Sequence, residues 1–165
     1  AGSASEVRDS GSNVKFVSSK IEKSVACDGP CATTTGESAL ATIIFDVTAF
    51  DADAYLMNGV DEDGTYTAGS GLTTTTTLSA AGGTSVGAYT VTGDESGSTH
   101  IHVQDGDTVR VTLTVEVAKA TDPGFARVAL SGVEWNDTDN TTTPFNYTFN
   151  LQDFKTSDIY LNQTD

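Results

Sequence analysis

DTVRVTLTVEVA, residues 107–118, decides the fold class. Val109, Val111, Leu113, Val115 and Val117 alternate with Thr108, Arg110, Thr112, Thr114 and Glu116. Five successive matches to a period of two describe a strand with one buried and one wet face. An amphipathic helix would instead repeat its apolar residues every three or four positions. The preceding Gln104-Asp105-Gly106-Asp107 supplies a turn.

The same logic extends in both directions. ALATIIFDVTAF, residues 39–50, is β-branched and aromatic, with Ile43, Phe45 and Val47 on one face. A short strand over 54–58 is followed by the turn Asp61-Glu62-Asp63-Gly64. Residues 72–79 hold five consecutive threonines, which suit an exposed or edge strand. Strands over 85–92 and 98–103 flank the loop 93–97, and 125–135 predicts a strand that bends near Gly132. Strands over 145–151 and 159–161 finish the chain, with room for one short helical turn around 152–157. Nine to ten short strands at regular spacing predict an all-β fold, a single β-sandwich of Ig-like or jelly-roll type. It occupies residues 24–165, after an extended N-terminal arm over 1–23, and shows no internal repeat.

Charge narrows the classes of partner. The chain of 165 residues has a net charge of −15, which repels nucleic-acid phosphates and anionic membranes. No apolar run approaches the roughly 18–20 residues that span a bilayer, so membrane insertion is not expected. Only 19% of residues are charged, and the aliphatic and aromatic content argues against disorder beyond the first dozen residues. A start at Ala-Gly-Ser-Ala-Ser without Met reads as a secreted chain after removal of its leader, and equally as a module cut from a longer chain.

The two cysteines lie in Cys27-Asp-Gly-Pro-Cys31. Asp-Gly-Pro is turn chemistry, so a Cys27–Cys31 disulfide is the expected pairing. The alternative, a redox or metal site, would ask for C-x2-C spacing or a second Cys/His pair, and neither is present. So short a loop stabilises by only about 2 kcal/mol. A disulfide places the protein outside the cytoplasm, extracellular or at the cell surface.

Catalytic signals are weak. Gly83-Thr84-Ser85-Val86-Gly87 matches the nucleophile elbow, but that motif needs a helix after the serine and the sequence here reads as strand. His100 and His102 share one strand face and would bind a metal only with a third converging ligand. No metal and no cofactor is assigned. Calcium is the one ion that the acidic stretches at Asp51/Asp53, 61–64 and 136–140 suit, although none has EF-hand spacing. An enzyme is therefore not expected. Asn136, Asn140, Asn146 and Asn162 each begin an N-x-[ST] sequon and are candidate N-glycosylation sites.

The arm differs from the body. Residues 1–23 hold four of eight basic residues and three of 23 acids, so the arm is +1 and the remaining 142 residues are −16. Val14, Phe16, Val17 and Ile21 give it the apolar side chains of a donor strand. Their parity changes between Phe16 and Val17, which predicts a bulge or two short strands. The arm serves as a tether, as the first strand of its own sheet, or as a strand added to a neighbouring molecule's sheet.

With its strands over 39–50 and 107–118 and its close NYTFNLQDFKTSDIYLN (146–162), the chain resembles subunits of donor-strand filaments. These are the TasA/camelysin-like biofilm fibre proteins and the archaeal bundling pili and threads. It is also similar to Ig-like modules of large prokaryotic surface proteins. The resemblance implies a structural subunit of an extracellular filament, pilus or matrix fibre. Such a subunit polymerises with copies of itself, head-to-tail, by insertion of its N-terminal strand into a neighbour. Camelysin-type peptidase activity has no zinc-ligand spacing here to support it. The rival class is a cell-surface Ig-like module that binds glycans or protein through Tyr66, Tyr89, Tyr147 and Tyr160.

Overall fold

The computed structural model describes residues 11–28, 33–61, 71–78, 86–93, 100–117, 124–138, 145–148 and 154–161. Their regular elements are all strands: β1 (Gly11–Asp28), β2 (Thr33–Phe50), β3 (Ala54–Met57), β4 (Val60–Asp61), β5 (Leu72–Leu78), β6 (Val86–Gly93), β7 (His100–Val103), β8 (Thr108–Val117), β9 (Gly124–Asn136), β10 (Phe145–Thr148) and β11 (Ile159–Leu161). Residues 154–158 form no helix. Lys155 instead makes an antiparallel bridge to Ala129, so the helical turn expected around 152–157 is absent from the part described.

Two sheets result. The first has the order β1-β2-β8-β6, and every neighbouring pair in it is antiparallel. The second has the order β4-β5-β9-β3-β7, with β10 and β11 also on β9. Among the described residues its one parallel strand pair is β4 with β5. The sheets pack through one apolar cluster in which Ile43, Phe45 and Val47 of β2 and Val111, Leu113 and Val115 of β8 meet Leu56, Ile101, Val128 and Leu130 of the second sheet. The fold is thus all-β and sandwich-like.

Period-two patterning places the core. In β8 the five apolar residues expected inside are buried, and in β2 the alternate residues Ala39 through Ala49 are buried. The bend expected near Gly132 takes the form of a register shift. Thr73 pairs with Gly132 and Thr74 with Leu130, which leaves Ser131 as the extra residue. Across it the core face of β9 changes parity, from Ala126, Val128 and Leu130 to Val133 and Trp135. Gly132, Glu134 and Asn136 therefore take the opposite face.

Candidate assembly surface

The arm has a partner in its own chain. β1 pairs antiparallel with β2 from Gly11↔Phe50 to Asp28↔Thr33, passing residue 23 without a break. Asp28 and Thr33 are the last paired residues of the two strands. Val14, opposite Val47, is 5% exposed, and Phe16, opposite Phe45, packs against the core. A register shift between Phe16 and Ser18 makes Val17 the bulged residue, 37% exposed. After it the inward positions are Ser19, opposite Ile43, and Ile21, opposite Ala41. Val17 therefore differs from the other three expected groove-fillers: the bulge that restores the parity of Ile21 turns Val17 outward.

This side of β1 closes a seam between the sheets. Phe16 meets Phe154 edge-on, with ring centroids 5.6 Å apart at 82°. Ser19 Oγ donates a 2.6 Å hydrogen bond to the Lys155 carbonyl. Ser19 was not legible as a contact residue from sequence, and the only signal was its inward parity after the bulge. Two ion pairs flank the seam, the exposed Lys20 with Glu22 and the more sheltered Lys23 with Glu37, both at 2.8 Å.

Beyond Ala39↔Val117, where the β2–β8 ladder starts, residues 33–38 of β2 pair only with β1 among the described residues. The hairpin thus continues as a two-stranded ribbon past the body of the sheet. β1 and β6 are the two edges of this sheet among the described residues.

The wet face of the same sheet is polar and cross-linked. Arg110 Nε and an Nη donate to the two carboxylate oxygens of Asp46 at 2.8 and 3.1 Å, and the Thr48 and Thr108 hydroxyls lie 2.7 Å apart. The Arg110 hydrogen bond holds the Asp46 carboxyl below the ordinary carboxylate range.

A second cluster surrounds the two histidines. Ile101 and Val103 point into the core, leaving His100 and His102 on the opposite face. Tyr55 stacks on His102 at 4.6 Å and 6° and meets His100 edge-on at 5.2 Å. His102 Nε2–H donates to Asp53 Oδ2 at 2.9 Å, and the Asp105 N–H donates to Asp53 Oδ1 at 2.9 Å. The hydrogen bond from His102, and then that from the Asp105 N–H, lower the Asp53 pKa. Tyr55 was not among the tyrosines singled out from sequence. Its part in this cluster follows from the β3–β7 register, which sets it opposite His102. Among the described residues no group of three His, Cys, Asp or Glu is placed to hold a metal ion.

The pH dependence of these carboxylates has a definite sign. A folded-state pKa below the unfolded value of about 3.9 stabilises the fold above that value, and the contribution is lost as pH falls below it and through the lower folded-state pKa. The melting temperature is expected to drop as pH falls from about 4 towards 2, and to drop less in the Asp46→Asn/Asp53→Asn double variant. Equal slopes for parent and variant in thermal melts across that range would refute the assignment.

The other expected sites are distributed as follows. Cys27 lies in the backbone of β1, but Cys31 and hence the disulfide lie outside the described residues. Asn140 and Asn162 also lie outside them. Asn146 is in β10 opposite Glu134. Asn136 is buried, 4% exposed, and its Oδ1 accepts from the Thr138 N–H at 3.4 Å. Of the tyrosines expected to bind a ligand, Tyr160 is described, and it forms an exposed edge-on pair with Phe125 at 5.1 Å. Tyr66 lies outside the described residues, while Tyr89 and Tyr147 are placed only by backbone, in β6 and β10. Ser85 lies outside them too, and the segment after it is strand β6.

Comparison of the chain with family models, curated proteins and solved structures returns no match.

Proposed function

We propose that this chain is a structural subunit of an extracellular filament, pilus or matrix fibre, built head-to-tail by addition of the N-terminal strand to a neighbouring subunit's sheet. The observation that supports it is the position of β1. It is an 18-residue edge strand joined along its whole length to one partner strand, with Val14, Phe16 and Ile21 in a seam that a strand from either chain would fill. In a single chain β1 lies on its own β2. In the fibre the same strand supplies the contact, either by exchange between seams or across its outer edge. The finer fold assignment, an Ig-like or jelly-roll sandwich, belongs with this reading. So do the extracellular location, the disulfide, and glycans at Asn140, Asn146 and Asn162.

The Phe125–Tyr160 pair supports a second reading, a cell-surface binding module, because two exposed rings side by side suit carbohydrate or protein contact.

Negative-stain electron microscopy tests the first. Fibres are expected from the full chain and single particles from a version lacking residues 1–23, with circular dichroism on the latter separating loss of contact from loss of fold. Single particles of the full chain across micromolar to millimolar concentrations would refute it and leave the binding module.

A further inference from the structure

We infer that β6 is the edge onto which β1 of a second copy of this chain adds, so that the four-stranded sheet runs on from subunit to subunit. This rests on the filament reading and names its acceptor surface. Three observations support it.

Direction comes first. The order β1-β2-β8-β6 contains an even number of strands, each antiparallel to the next. β1 and β6 therefore run in opposite senses. A copy displaced along the sheet without being turned over presents its β1 antiparallel to β6, so the ladder repeats indefinitely. Because the two joined edges are different surfaces, the contact does not close on itself.

Edge chemistry is the second. Proteins blunt exposed edges with lysine, proline and bulges. β6, VGAYTVTG, contains no charge and no proline. β1 has Lys15, Lys20 and Lys23 and the bulge at Val17. Among the described residues β1 thus carries the devices that discourage a symmetric β1–β1 contact, and β6 is the edge without them.

Charge is the third. The arm is +1 and the rest of the chain −16, and Asp94 and Glu95 directly follow β6 in the sequence. The donor edge is cationic and the acceptor lies on an acidic body, an attraction that salt weakens.

The geometry sets the fibre's dimensions. Four strands at about 4.8 Å give an axial repeat near ~19 Å. Four steps of about 20–25° of strand twist rotate each subunit by about 80–100°, close to four subunits per turn.

Helical reconstruction of fibres of the full chain by electron cryomicroscopy tests this, beside a Thr90→Lys/Thr92→Lys variant that gives β6 the lysines it lacks. The expected result is the repeat and rotation above, with β6 beside a neighbour's β1. The variant should stay monomeric at concentrations at least about tenfold higher, with an unchanged circular dichroism spectrum. Fibres in which a neighbour's β1 replaces the chain's own on β2 would overturn the edge assignment and leave the filament reading standing. Dimers closed β6 to β6, or a folded variant that assembles like the parent, would do the same. Single particles of the parent at every concentration would overturn both. If the variant fails to fold, the parent reconstruction alone decides.

Discussion

Replacing Gly71 by alanine is expected to destabilise the fold by about 3–5 kcal/mol, with a melting temperature lower by roughly 10 °C. Gly71 has a φ of +99°, in the region that a side chain disfavours. A Cβ there would stand 2.8 Å from the Gly59 nitrogen and nearer still to its oxygen, so backbone must move. What moves is connected. Leu72 N–H donates to the Gly59 carbonyl at 2.8 Å, and Gly71 N–H donates to Glu134 Oε2 at 2.5 Å. Glu134 is fully buried, and a buried carboxylate that loses a donor is costly. Urea unfolding of the variant reads the effect. A change within about 0.5 kcal/mol, the range of an ordinary surface substitution, would show that the loop accepts a side chain and that the close approach is not required.

Phe154→Ala is the second large effect, expected at about 3–5 kcal/mol for a fully buried ring. The ring sits between the sheets at the seam that β1 closes, and its carbonyl accepts from the Leu130 N–H at 2.8 Å. Removing it opens a cavity under Phe16. The two substitutions Phe16→Ala and Phe154→Ala should therefore couple, by about 0.5–1.5 kcal/mol in a double-mutant cycle. Strict additivity would mean that β1 is held by its ladder to β2 alone. Loss of the ring should also raise proteolytic cleavage within β1, because local opening of that edge costs less.

What the sequence disclosed follows the physics of single strands. Wherever one face is buried and the other wet, as in β8 and β2, alternation named the core residues directly. The two departures from alternation, at Phe16/Val17 and near Gly132, were legible as departures, and both coincide with register shifts. Pairing was less accessible, because alternation says which face is buried and nothing about which strand lies alongside. The partner of β1 was left open among three readings for that reason. The cluster of Tyr55, His102 and Asp53 was legible only in part, since its members meet through the β3–β7 register and a turn. Glu134 shows the limit most plainly. A glutamate in a strand reads as a wet-face residue, and only the Ser131 bulge together with the approach of Gly71 explains its burial.

The pairing of β2 with β8 has a consequence for how the chain reaches this state. The nearest paired residues, Thr48 and Thr108, are 60 positions apart, whereas β1 and β2 meet across a short connection. Structures dominated by distant pairings fold in milliseconds to seconds. At about 5–20 residues per second, a nascent chain delivers β8 some 3–12 s after β2. Through that interval Ile43, Phe45 and Val47 lack the β8 and β9 residues Val111, Leu113, Val115, Val128 and Leu130 that complete their cluster. Biogenesis is then the moment of greatest exposure to aggregation, and the net charge of −15 keeps neighbouring nascent chains apart until the second half arrives.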